Sequence, residues 1–93
     1  MGKSKPRQWQ GGGFGRDDDA WLELRARHRP VALLGTPEMP VVGVTLTLRD
    51  VLPKDGPPRE AAVERVMRHD PSRALVALRE ADGRITIVEW WRP

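Results

Sequence analysis

The chain contains no cysteine. Disulfide staples and thiolate metal ligands are therefore excluded, and the core must hold by apolar burial or by association with other chains. Tyrosine is also absent and phenylalanine occurs once, so four tryptophans carry almost all the aromatic surface. His28 and His69 are the only histidines, and Ser4 and Ser72 the only serines. So few groups of this kind leave little material for proton-transfer or nucleophilic chemistry. No apolar run approaches the ~20 residues that span a bilayer. Gly11, Gly12 and Gly13 stand where a secretory signal would place its apolar segment. The expectation is a chain with no signal peptide and no membrane partner, located in the cytoplasm. Met1-Gly2 opens like a myristoylation signal, but Pro6 occupies the position that needs Ser or Thr.

Acidic residues are missing from the first sixteen positions, which hold Lys3, Lys5, Arg7 and Arg16. The remainder is nearly balanced and carries one net negative charge, although the whole chain is at +3. The same sixteen residues contain five glycines, one proline and few large apolar side chains. Such a segment cannot offset its ordering entropy by burial. The reading is a flexible basic tail over 1–16 followed by one small globular domain over 17–93. With 39% hydrophobic and 31% charged residues, the chain is polar yet well short of the disordered extreme.

Periodicity supplies the coarse architecture. Asp17, Asp18 and Asp19 suit a helix N-terminus, and Arg25, Arg27 and His28 suit the opposite end. A helix over 20–28, stopped by Pro30, would place Trp21, Leu24 and His28 on one face, with Leu22 nearby. Val31 to Leu34 forms a short apolar stretch. From Val41 to Arg49, Val42, Val44, Leu46 and Leu48 alternate with Gly43, Thr45 and Thr47, which predicts a half-buried strand. Residues 59–69 fit either a helix or a strand, with the strand preferred because a turn and two strands follow. Residues 73–80 and 84–91 read as a β-hairpin around Ala81-Asp82-Gly83-Arg84. The expected fold is mainly β with a short N-terminal helix, as a small five-stranded barrel of SH3-like or Sm-like kind. The alternative is an α+β antiparallel sheet with a helix at 59–69.

Several local patterns suggest chemistry and fail on spacing. Gly2-Lys3-Ser4 has the end of a phosphate-binding loop without its upstream glycine or preceding strand. Asp17 to Asp19 supply oxygens for a hard cation but lack the spaced ligands of a calcium loop, and a helix cap explains them. His69, Asp70 and Ser72 are crowded into one turn and suit turn chemistry better than an acyl-transfer relay. No catalytic set, metal site or cofactor is expected.

The tail is more informative. Arg7-Gln8-Trp9-Gln10-Gly11-Gly12-Gly13-Phe14-Gly15-Arg16 interleaves cations, aromatics and glycine. Cations neutralise phosphates and aromatic rings stack on unpaired bases. The segment resembles the Arg-Gly-rich segments of RNA-binding proteins over about ten residues, without a repeat. Lys3, Lys5, Arg7, Trp9, Phe14 and Arg16 are the expected nucleic-acid contacts, on RNA or another single strand. The rival reading is a non-enzymatic adaptor that binds protein within a larger assembly, such as a virion or ribonucleoprotein particle. Its anchors would be Trp90 and Trp91, one of which must face outward because strand neighbours point oppositely. Neither reading requires a small-molecule substrate.

Overall fold

The computed structural model describes residues 14–52 and 57–92. One helix, α1 (Phe14–His28), precedes six strands: β1 (Leu33–Leu34), β2 (Thr45–Thr47), β3 (Val51–Leu52), β4 (Glu60–Asp70), β5 (Arg73–Glu80) and β6 (Ile85–Trp91). They form one curled sheet in the order β2-β4-β5-β6-β1-β3. The mainly-β expectation with an N-terminal helix is met. The closed barrel is not formed, because β2 and β3 lie at opposite ends of that order. They are nevertheless two parts of one segment, separated by the 3₁₀ turn Leu48–Asp50. The chain itself, rather than a hydrogen-bonded strand pair, bridges the two edges of a half-barrel.

The β5–β6 hairpin forms as the alternation predicts, with Val76 opposite Val88 and Leu78 opposite Thr86. Gly83 takes a φ of 90° in the turn, a conformation that costs glycine little. Residues 60–70 form a strand, so the helix at 59–69 is ruled out. Ala61, Val63 and Val66 pack with β5 residues Ala74, Val76 and Leu78, a sheet face that a helix would break. Two register shifts, between Val63 and Arg65 and between Arg68 and Asp70, bend β4 along its length.

The core lies inside the curl. Leu34, Val51, Val63, Val76, Leu78, Val88 and Trp90 form its main cluster. Trp90 is 1% exposed, and its indole N–H donates to the Thr36 carbonyl at 3.0 Å. β5 is buried on both faces, since Leu75 and Ala77, which alternate with the core residues, are buried as well. The opposite face therefore has its own cover. Trp21 of α1 is 3% exposed and closes part of it.

Two stretches depart from the sequence reading. The helix begins at Phe14, so Asp17 to Asp19 lie inside α1 and do not cap it. The strand predicted over 41–49 is reduced to Thr45–Thr47. Gly43 has a φ of 96° and turns the chain, leaving Val41, Val42 and Val44 exposed. Two backbone bonds tie this turn to one residue of β4. Gly43 N–H donates to the Val63 carbonyl at 2.9 Å, and Val63 N–H donates to the Val44 carbonyl at 2.8 Å. After β2, Leu48 bends into the 3₁₀ turn, and the predicted alternation ends there.

Candidate contact surface around Trp91

The surface at the end of β6 is built outward from a buried carboxylate. Glu89 pairs with Leu75 in the hairpin register and so faces the outer side of the sheet, beneath α1. It is 6% exposed. A buried carboxylate is costly unless its oxygens are satisfied. Arg25 of α1 donates from Nε to Glu89 Oε1 at 2.8 Å, and the Trp91 indole N–H donates to Oε2. The helix and the last strand are thereby fastened to the same side chain.

Trp91 follows Trp90 and points the other way, as pleating requires. It is 47% exposed. Its inner side packs edge-on against Trp21, with ring centroids 6.1 Å apart. Arg73, directly opposite Trp91 in the register, places its guanidinium carbon 5.5 Å from the Trp91 ring and 5.3 Å from the Trp21 ring. Both distances are within cation–π range. Arg73 Nη2 is held in turn by Asp70 Oδ2 at 3.1 Å, and its Nη1 lies 3.6 Å from Asp18 of α1. His69 completes the cluster with its ring 5.4 Å from Trp21. Trp91 is thus a half-exposed aromatic fixed on its buried side.

Asp70 is the hinge of this arrangement. Its carboxyl is held below the usual aspartate range, first by the Ser72 backbone N–H and then by Arg73. The Ser72 N–H donates to Asp70 Oδ1 at 2.7 Å, an Asx turn. His69 Nε2 lies 3.9 Å from Asp70 Oδ2. The three residues make a turn, as their crowding in sequence implied.

Apolar surface extends outward from Trp91. Val31 is 71% exposed and Leu33 46%. Together with Trp91, Arg25, Pro30 and Glu89 they line one shallow depression. Val31 and Leu33 are held in place by β1, which runs parallel to β6, and by the Val31 N–H donated to the Ile87 carbonyl at 2.9 Å. The sequence signalled only that Val31 to Leu34 is apolar. It did not reveal that this stretch pairs with β6 and lies beside Trp91.

The other expected site residues are distributed differently. Trp90 belongs to the core and is removed from the contact surface. Phe14 and Arg16, read as tail, lie in the first turn of α1. Lys3, Lys5, Arg7 and Trp9 lie outside the described residues. Five of the eleven arginines in the described part of the domain pair with carboxylates: Arg25 and Arg73 in the cluster above, Arg79 with Glu64 at 2.8 Å, Arg59 with Glu80 at 2.9 Å, and Arg84 with Asp82 at 3.0 Å. Among the described residues no cluster of three His, Asp or Glu side chains gathers, and no helix is long and apolar enough to cross a membrane. No protein-family model matches the chain, and neither a curated protein nor a solved structure matches it.

Proposed function

We propose that the domain is a non-catalytic binding module that docks onto a protein partner through Trp91. One observation carries this reading. A tryptophan nearly half exposed is buttressed by Trp21 and Arg73 and adjoins Val31 and Leu33. Single exposed apolar residues are ordinary, whereas a rigid tryptophan within an apolar patch is the composition of an interface hot spot. Its side chain is already ordered, so docking loses little conformational entropy there. The partner would present apolar side chains to Trp91, Val31 and Leu33 and avoid direct charge against the Arg25–Glu89 pair.

The segregation of charge favours a second role for the same chain. Four cations without an acid occupy the first sixteen residues, while the remaining residues carry one net negative charge. A nucleic acid would therefore be captured by Lys3, Lys5, Arg7 and Arg16, with stacking from Trp9 and Phe14. The two roles together describe an adaptor inside a nucleoprotein assembly.

Affinity purification of the full chain from its native cells separates the roles. The account expects a stoichiometric protein partner that is lost with Trp91→Ala and kept when residues 1–13 are removed. It expects nucleic acid to leave with high salt and with that truncation. A partner retained equally by Trp91→Ala overturns the docking role. Absence of salt-sensitive nucleic acid overturns the capture role.

A further inference from the structure

The turn end of the β5–β6 hairpin carries a second feature, which meets the Trp91 surface only at Val31 and Ala32. Arg49 reaches it from the 3₁₀ turn, Arg59 from the residue before β4, and Arg84 from the hairpin turn. These three arginines line one half-open cavity of about 340 Å³. Small-molecule sites begin at about this size.

Glu80 is the one carboxylate in the described lining, and it is buried. Its Oε1 accepts from Arg59 Nη1 at 2.9 Å and from Arg84 Nη2 at 3.2 Å, while Oε2 accepts from Thr86 Oγ1 at 2.7 Å. Both oxygens are engaged, so Glu80 fixes two guanidiniums in orientation and can neutralise only one charge. Asp82 holds Arg84 Nε at 3.0 Å, and it lines with Glu60 an adjoining hollow that shares Arg59, Glu80 and Arg84 with the cavity. Among the described residues the three arginines thus meet two carboxylates, Glu80 and Asp82, which leaves one positive charge.

A guanidinium offers five N–H donors in a planar fork, and Arg59 and Arg84 each retain donors beyond those directed at carboxylates. Such forks match carboxylate and phosphate alike, and a phosphate has further acceptor oxygens for a second and third guanidinium. Val31, Val51 and Pro57 make the remaining wall apolar. That wall suits the organic part of an ester.

We infer that this cavity binds a phosphate monoester, with Arg49, Arg59 and Arg84 on the phosphate and Val31, Val51 and Pro57 against the attached group. The described lining leaves out Trp91 but shares Val31 and Ala32 with the depression beside it. The site departs from the sequence reading, which required no small molecule.

Heteronuclear NMR titration of the full chain tests this on the arginine side-chain N–H signals. The probes are inorganic phosphate, a nucleoside monophosphate, and one oligonucleotide with and without a 5′ phosphate, against chloride at matched ionic strength. Saturable shifts at Arg49, Arg59 and Arg84 are expected. Arg49→Gln, which breaks no ion pair among the described residues, should weaken binding about tenfold. Arg27→Gln on exposed α1 surface should leave it unchanged. Stronger binding of the nucleoside monophosphate assigns a free small ester, and selectivity for the 5′-phosphorylated oligonucleotide assigns a nucleic-acid end. Inorganic phosphate binding as tightly as both overturns the ester assignment. No saturable shift with any probe, or equal weakening by Arg49→Gln and Arg27→Gln, overturns the site itself.

Discussion

Trp90 and Trp91 are chain neighbours with opposite environments, so truncating each should have opposite consequences. Trp90 is 1% exposed within the core and donates its indole N–H to the Thr36 carbonyl. Trp90→Ala removes a buried aromatic, at about 3–5 kcal/mol. It also leaves the Thr36 carbonyl without that donor, at about 1–3 kcal/mol if water cannot replace it. Small domains have a total stability of about 5–15 kcal/mol, with the shortest chains near the lower end. The variant should therefore be largely unfolded. Trp91 is 47% exposed. Trp91→Ala forfeits the edge contact with Trp21, worth about 0.5–1.5 kcal/mol, and the Arg73 contact, worth about 0.5–1 kcal/mol at a partly exposed site. It also removes one donor from Glu89. With about 1–3 kcal/mol for that donor, the total of about 2–5.5 kcal/mol stays below the roughly 4–8 kcal/mol of Trp90→Ala. Urea unfolding followed by far-ultraviolet circular dichroism gives both values. Trp90→Ala costing no more than Trp91→Ala would refute the assignment of Trp90 to the core and Trp91 to the surface.

Other consequences are equally specific. Arg25→Ala leaves Glu89 buried with one donor fewer, so it should cost about 1–3 kcal/mol and raise hydrogen exchange throughout α1. Asp70 has its carboxyl held down in the folded state by Ser72 and Arg73. Its contribution is therefore present above the unfolded-state value and lost as pH falls through the folded one. Acid unfolding of Asp70→Asn should begin from a lower stability at neutral pH and show a shallower dependence across that acidic range. A Cβ added at Gly35 would stand 3.0 Å from the Asp50 carbonyl oxygen, so Gly35→Ala should lower the thermal midpoint by pushing β1 away from β3. At Gly83 a Cβ meets nothing, and Gly83→Ala should cost only the strain of its positive φ, about 1 kcal/mol.

Elements whose pairing is local were legible in the sequence. The β5–β6 hairpin announces itself through apolar, β-rich stretches on both sides of Ala81-Asp82-Gly83-Arg84, and its two strands form as predicted. β4 is ambiguous by periodicity, because Ala62, Val63, Val66 and Met67 also suit a helical face. Its pairing with β5 decides the matter. The stretch 41–49 misled for a physical reason. Val42, Val44 and Leu46 alternate, but Gly43 turns the chain and only three residues find a partner strand. The two-residue strands β1 and β3 were hidden because each depends on residues far away in sequence, as in the Leu34–Val51 and Leu34–Trp90 pairs.

The candidate sites follow the same division. That one of two adjacent tryptophans faces outward follows from pleating alone. Which one it is depends on Trp21 and Arg73, brought together by the docking of α1. The arginine cavity left no motif at all. Arg49, Arg59 and Arg84 come from three segments that only the fold brings together.

The most direct measurement is site-specific photocrosslinking of the full chain in its native cells, with a photoreactive aromatic residue at position 91, 22 or 85. Leu22 and Ile85 are controls because they are about as exposed as Trp91 and lie outside its depression. A single discrete protein adduct from position 91, absent from both controls, is the predicted result. No adduct from position 91, or the same adducts from all three positions, would contradict a docking face centred on Trp91.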